Sequence, residues 1–291
     1  MLLKLSVRCA DMLTPFSDLV GRYRVIFFDA YGVLKNARGV LQGVPELLSW
    51  LSRQGKDVYV ITNDASRSPA QMAAAYTHPE HGVLIPESKN ISSGLLAKDF
   101  LRSKVRTGRV AYLGKPSSAF YIESAGLTPV HIGACKSTEE LAAIALLDDE
   151  GFDWFRDLNL ILNLMRRVSA PVIVANPDLV YPVNDQEVGL AVGSLASMLE
   201  RIVGKAFVRF GKPDTMMFSH AFACAHENVP DLHKSDVLMV GDTLETDIVG
   251  ANTFGLDTAL VLSGNTRPEQ AAMMIQTKGI IPTYLCESVF T

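Results

Sequence analysis

Five short apolar runs recur along the chain, and each stops at a polar or glycine-bearing tip. Val25–Phe28 ends at Asp29, Val58–Ile61 at Thr62-Asn63-Asp64, and Phe207–Phe210 at Gly211-Lys212. Val237–Val240 ends at Gly241-Asp242, and Ala259–Leu262 at Ser263-Gly264. Runs of this length without polar alternation suit strands buried on both faces, as in a parallel sheet. Helical spacing lies between them. Pro45 stands in a first turn, with Leu47, Leu48 and Leu51 on one face and Gly55 just past the end. Pro213 precedes Met217, Phe218, Ala221 and Phe222, spaced for one apolar stripe, while Ile248 and Ala251 follow Glu245 up to Gly255. This alternation predicts an α/β fold with a doubly wound parallel sheet. All five tips then share one rim, the carboxyl edge at which open α/β sheets bind ligands.

The middle of the chain has a strand–helix rhythm of its own. Strands are expected at Arg109–Leu113, Pro129–Ile132, Ala142–Leu147 and Val172–Ala175, with a helix over Ser117–Ser124. A second helix, Asp153–Arg167, should turn Phe155, Leu158, Ile161, Leu162 and Met165 inward, and a third, Ser194–Val203, should bury Leu195, Met198, Leu199 and Ile202. An inserted domain at 104–205 follows, with 1–103 and 206–291 forming one discontinuous core.

Composition narrows the function classes. The 291 residues are 48% hydrophobic and 20% charged with a formal net charge of −4, which is ordinary for a globular protein. No basic run argues for nucleic acid or an anionic membrane as a partner. The opening MLLKLSVRCADML is broken by Lys4, Arg8 and Asp11 and lacks the continuous apolar core of a secretory signal, so a cytoplasmic protein is expected. Cys9, Cys135, Cys224 and Cys286 form no CxxC pair and read as buried free thiols. Neither a GxGxxG nor a GxxxxGK[ST] motif is present. The acidic run Asp148-Asp149-Glu150, ahead of Trp154 and Phe155, reads as the solvated start of a helix.

The tips themselves carry the chemistry. Asp29 and Asp242 bring carboxylates from two strands, and Asp247 lies five residues beyond Asp242. Carboxylates sharing one rim repel each other unless a cation neutralises them. Oxygen donors without histidine or thiolate suit Mg²⁺. Lys212 adds a compact positive charge, Thr62 a hydroxyl and Asn63 an amide. Together these would hold a phosphoryl group while one carboxylate attacks it. Any one piece alone is an ordinary turn or helix cap; their order, spacing and shared place at strand ends are what is specific.

The set DAYGVL (29–34), VITNDAS (60–66), FGKPD (210–214) and VGDTLETDIVGA (240–251) resembles the four motifs of the haloacid dehalogenase-like hydrolases. The insertion between the second and third motifs, with VANPDLVYPV (174–183), resembles the C2-type cap of their class IIA phosphatase-like branch. The likeness spans about residues 20 to 285. It implies that Asp29 is the covalent nucleophile and also a Mg²⁺ ligand. The Tyr31 backbone carbonyl and Asp242 would be further ligands, with Asp247 acting through water. Thr62 and Asn63 would grip the phosphate, and Lys212 would pair with nucleophile and phosphate. Asn176, Asp178 and Tyr181, in the cap loop, are expected to contact the substrate.

One position departs from the pattern. Most phosphatases of this family carry an acid–base aspartate two residues after the nucleophile, where this chain has Tyr31. A phenol with a pKa near about 10 can donate a proton but is a poor acceptor at neutral pH. Three continuations stay open at this point. Asp64, Glu245 or a cap residue takes over the proton relay; or the enzyme is a slow phosphatase or phosphotransferase; or the chain is a non-catalytic phosphometabolite-binding protein. The expected substrate is a small phosphorylated metabolite such as a sugar phosphate, with no nucleic acid or membrane partner. A homodimer is expected from analogy with paired caps.

Overall fold

The computed structural model describes residues 13–291 apart from 79, 81, 137, 139 and 184–186, so Cys9 and the opening segment lie outside the described residues. Two parallel sheets organise the chain. Strands β1 (Val25–Phe28), β2 (Asp57–Thr62) and β3 (Asn90–Ser92) come first. Then follow β4 (Arg109–Leu113), β5 (Thr128–His131), β6 (Ala143–Leu146), β7 (Val172–Val174) and β8 (Val208–Arg209). The chain closes with β9 (Val237–Gly241), β10 (Asp257–Val261) and β11 (Tyr284–Cys286). The first sheet runs β11-β10-β9-β1-β2-β3 and the second β8-β7-β6-β4-β5.

The first sheet is doubly wound. From β1 the chain moves outward through β2 and β3, and it later returns on the other side of β1 through β9, β10 and β11. The strand order therefore reverses between β1 and β9, where a crevice opens at the carboxyl ends. Register brings Phe28 beside Val240 on one side and Val60 on the other, so the tips after these strands meet. All four β1 residues are fully buried, and each large side chain among them contributes roughly 1.5–3 kcal/mol.

One expected strand belongs elsewhere. The run Phe207–Phe210 was expected on the rim of the first sheet, yet β8 pairs with β7 at the edge of the second, Val208 opposite Ile173. The reason lies in its composition. Val208 and Arg209 are only half-buried, and Arg209 reaches Glu200 at 2.6 Å, as an edge strand allows and a central one does not. Two helices also differ from expectation. The middle helix begins at Arg156, so Phe155 precedes its first turn and is 84% exposed. The helix Val192–Val203 buries Val192, Leu195, Ala196 and Leu199, which rotates Met198 and Ile202 outward.

The sheets share one core: Phe27 and Tyr59 of the first lie in the same apolar cluster as Tyr112, Ala145 and Ile173 of the second. At the join, a Cβ on Gly94 would lie 2.4 Å from the Tyr121 ring, so glycine permits the contact, and the Tyr121 hydroxyl donates to the Arg67 carbonyl at 2.5 Å. Among the described residues no disulfide forms; Cys286 is buried, whereas Cys135 and Cys224 are half-buried rather than buried as expected. No described helix is long and apolar enough to cross a membrane.

Candidate active site

Asp29 follows β1 directly. Its N–H donates to the Val240 carbonyl at 2.9 Å, which continues the β1–β9 ladder and aims its side chain into the crevice. Asp242 follows β9, and Asp247 sits in the next helical turn, Leu244–Ile248. The Asp247 Oδ2 atom accepts the N–H groups of Asp242 and Thr243 at 3.1 and 3.0 Å. The Asp242 carboxylate accepts from the Thr243 hydroxyl at 2.8 Å and from the Asn265 N–H at 2.7 Å. Backbone approaches it so closely that a Cβ on Gly32 or Gly264 would fall 2.0 or 1.8 Å from Asp242 Oδ2. One oxygen from each of Asp29, Asp242 and Asp247 lies within 4.8 Å of the others.

Lys212 enters this cluster from β8. Its ammonium is 2.5 Å from Asp29 Oδ1 and 2.7 Å from Asp247 Oδ1, with 2% of the residue exposed. Asn63 sets the loop that carries it. The Asn63 carbonyl oxygen accepts the Lys212 N–H at 2.8 Å, and its amide donates to the Lys212 carbonyl at 3.0 Å and to Asp178 Oδ1 at 2.8 Å. Gly211 makes room: its φ is +119°, and a Cβ there would lie 2.3 Å from Asn63 Oδ1. Asn63 thus ties Lys212 and Asp178 in place and is not among the cavity-lining residues, whereas Thr62 is.

Three buried carboxylates share the cluster with one ammonium, which pairs with two of them, so the formal charge is −2. Burial drives Asp29 well above the usual carboxylate range, with Lys212 opposing and the neighbouring aspartates adding. Burial, then Asp247, lifts Asp242 to about 7. For Lys212 burial pulls downward, but Asp247, Asp29 and Asp178 more than reverse it and hold the amine protonated. The residual negative charge and the all-oxygen donor set fit a hard divalent cation.

A cavity of about 870 Å³ opens beyond the carboxylates. Asp29, Tyr31, Thr62 and Lys212 line its floor, and Lys115, Asp148, Asn176, Asp178 and Tyr181 line the side contributed by the second sheet. The Tyr31 ring lies 6.0 Å from that of Tyr181, its hydroxyl is 3.4 Å from the Arg67 guanidinium, and the Lys35 ammonium sits 4.3 Å from the ring centre. Burial and the charge of Asp64 raise the Tyr31 phenol above its ordinary value. Asp64 accepts from the Ser66 N–H at 2.8 Å and hydroxyl at 2.5 Å and pairs with Arg67 at 3.1 Å. Glu245 reaches the cavity edge but pairs with Lys278.

Sequence reasoning missed Arg67 and Lys115 and misread Asp148. The acidic run expected in solvent lines the cavity instead, with Asp148 only 6% exposed. A signal for Lys115 was present: Gly114-Lys115-Pro116 repeats Gly211-Lys212-Pro213, and both triplets follow strands of the second sheet.

Known proteins bear on this geometry. The family model described as haloacid dehalogenase-like hydrolase matches residues 26–128, and a HAD-hydrolase-like model matches 209–289. The solved structure of a possible sugar phosphatase of the HAD superfamily from Cytophaga hutchinsonii is 47% identical. The match covers 96% of this chain and 98% of that one, with a TM-score of 0.89. Chronophin of Homo sapiens is 30% identical over 281 residues, covering 94% of this chain and 93% of that protein. Glycerol-3-phosphate phosphatase of Gallus gallus is 26% identical over 286 residues, covering 91% and 89%.

Proposed function

The chain belongs to the haloacid dehalogenase-like hydrolases, among their phosphatases, and from that premise we propose that it hydrolyses a small phosphate monoester with Asp29 as nucleophile. The observation that carries this reading is the convergence of Asp29, Lys212, Asp242 and Asp247 at the strand-order reversal. Membership among phosphatases decides against the non-catalytic alternative.

An Asp29 oxygen attacks phosphorus, and the bond from phosphorus to the alcohol oxygen breaks with its electron pair leaving on that oxygen, which takes up a proton. Water then attacks the aspartyl-phosphate, releasing inorganic phosphate and restoring the carboxylate. Lys212, 2.5 Å from Asp29, holds the nucleophile in place and balances charge on the transferred group. Thr62 presents a hydroxyl to the phosphoryl oxygens. Asp29 and Asp242 would hold Mg²⁺ with the Tyr31 carbonyl, and Asp247 would support them. Bound there, Mg²⁺ supplies positive charge that offsets the carboxylates and polarises the phosphoryl oxygens.

Tyr31 favours a particular kinetic form of this reading. Its phenol can protonate the leaving alcohol, but a raised pKa returns it to the protonated form from solvent, and a phenol that holds its proton cannot take one from the attacking water. The second step is therefore the slow one. The substrate is a small metabolite such as a sugar or glycerol phosphate, as the names of the relatives suggest, because both sheets wall the cavity and hinder a folded phosphoprotein. Self-association is part of the reading by family analogy alone and is read by sedimentation. The test is hydrolysis of p-nitrophenyl phosphate with Mg²⁺. Activity should vanish in Asp29→Asn and on chelation; wild-type activity no higher than that variant's overturns the reading.

A further inference from the structure

Five side-chain polar atoms among the described residues are buried without a hydrogen-bond partner, and three of them, Asp148 Oδ2, Asn265 Oδ1 and Thr266 Oγ1, belong to residues lining the main cavity. Buried polar atoms are rarely left unpaired unless something absent meets them. Asn265 and Thr266 flank Asp242, to which their N–H groups donate at 2.7 and 3.1 Å, so they belong with the carboxylate cluster. Asp148 does not. It stands two residues past the end of β6, on the wall that the second sheet contributes.

The surroundings of Asp148 define what that wall accepts. Its Oδ1 accepts the Asp149 N–H at 2.9 Å, while Oδ2 has only the Lys115 ammonium at 3.9 Å, beyond hydrogen-bond reach. That ammonium sits 2.6 Å from Glu150, so its nearer partner lies elsewhere. Asp148, Asp149 and Glu150 against Lys115 leave the wall formally at −2. Arg67, the other cation lining the cavity nearby, is held by Asp64 at 3.1 Å. A carboxylate oxygen accepts hydrogen bonds and cannot donate them when ionised.

We propose that this wall selects the alcohol of the substrate: the leaving group presents a hydroxyl or ammonium donor to Asp148 Oδ2, and esters bearing a second anion at that end are rejected. The proposal rests on the phosphatase reading of the same cavity and narrows it to polyol or amino-alcohol phosphates. Rejection follows from like charge meeting in a desolvated place, and preference from satisfying an otherwise unpaired acceptor.

The experiment compares kcat/KM for glycerol 3-phosphate and 3-phosphoglycerate, which differ by a hydroxymethyl group in place of a carboxylate. Wild type should favour the former by at least about 100-fold, and Asp148→Asn should cut that ratio by at least about tenfold. 2-Aminoethyl phosphate separates the two donors: a kcat/KM above that of glycerol 3-phosphate assigns the ammonium, one below it the hydroxyl, and either supports an acidic wall. Equal use of the matched pair, or preference for the carboxylate ester, overturns the proposal while turnover of p-nitrophenyl phosphate still stands for the phosphatase reading. Should no ester turn over, that reading falls, and calorimetric binding of the same pair to wild type decides the wall's preference. The wild-type ratio needs no variant to fold.

Discussion

Replacing Lys212 by glutamine removes the one positive charge among three buried carboxylates. The ammonium lies 2.5 Å from Asp29 and 2.7 Å from Asp247, and only 2% of the residue is exposed. At an effective dielectric near 20, a unit pair even at about 4 Å gains about 4 kcal/mol, and these pairs are closer. That attraction is offset by taking the charges out of water, so the net loss follows cases in which one partner of a buried pair is deleted, about 3–5 kcal/mol. Asp29, Asp242 and Asp247 would then stand at −3 instead of −2. At roughly 2–4 °C per kcal/mol for a large domain, Lys212→Gln should melt roughly 6–20 °C below wild type in chelator. The gap should narrow in saturating Mg²⁺, because a cation gains more from a site lacking its ammonium. Scanning calorimetry near neutral pH, with chelator and then with Mg²⁺, measures both quantities. A variant melting within about 2 °C of wild type in chelator, or a gap that Mg²⁺ leaves unchanged, would refute the charge balance drawn here.

Two further outcomes are expected. On the proposed mechanism, Tyr31→Asp supplies a proton acceptor two residues after Asp29 and should raise hydrolysis by about 10²–10⁴-fold, chiefly in breakdown of the proposed aspartyl-phosphate, as burst kinetics with p-nitrophenyl phosphate would reveal; unchanged turnover would place the acid–base group elsewhere. Asp148→Asn should change stability with a sign that depends on pH. Burial lifts the folded Asp148 carboxyl to about 6, so the folded chain holds its proton more tightly than the unfolded chain, whose value is near about 4. Ionisation therefore lowers stability as pH rises through that interval. The variant should gain about 2–3 kcal/mol near pH 7.5 and little near pH 4, and urea unfolding that shows a loss at both would sink the assignment.

How much of this was legible in the sequence varied with the residue. Asp29 and Asp242 were readable because the buried runs before them are short, wholly apolar and end in acid, a pattern a two-sided parallel strand imposes. Lys212 was readable as a residue but not as to its origin. Arg209 within the run before it was the warning, since a strand covered on both faces rarely admits a guanidinium, and β8 proved to be an edge of the second sheet. Asn63 was expected at the phosphate. Its use as a brace for Lys212 and Asp178 depends on contacts between distant segments that no local pattern encodes. Three adjacent acids look solvated until one knows what covers them, which is why Asp148 was misread. Met198 and Ile202 failed for a simpler reason: a helix stripe shifted by one position fits the same letters.

The edge position of β8 limits how this enzyme can be recombined. A chimera that exchanges only 104–205 for the corresponding piece of another protein would present Val208 and Arg209 with a foreign neighbour in place of Ile173 and Val174. The seat of the ammonium that pairs with Asp29 would then depend on how well two unrelated strands happen to mate. Donor segments carried through Pro213 bring that strand with its native companion. Swaps intended to alter substrate range should keep the amine in position only when cut there.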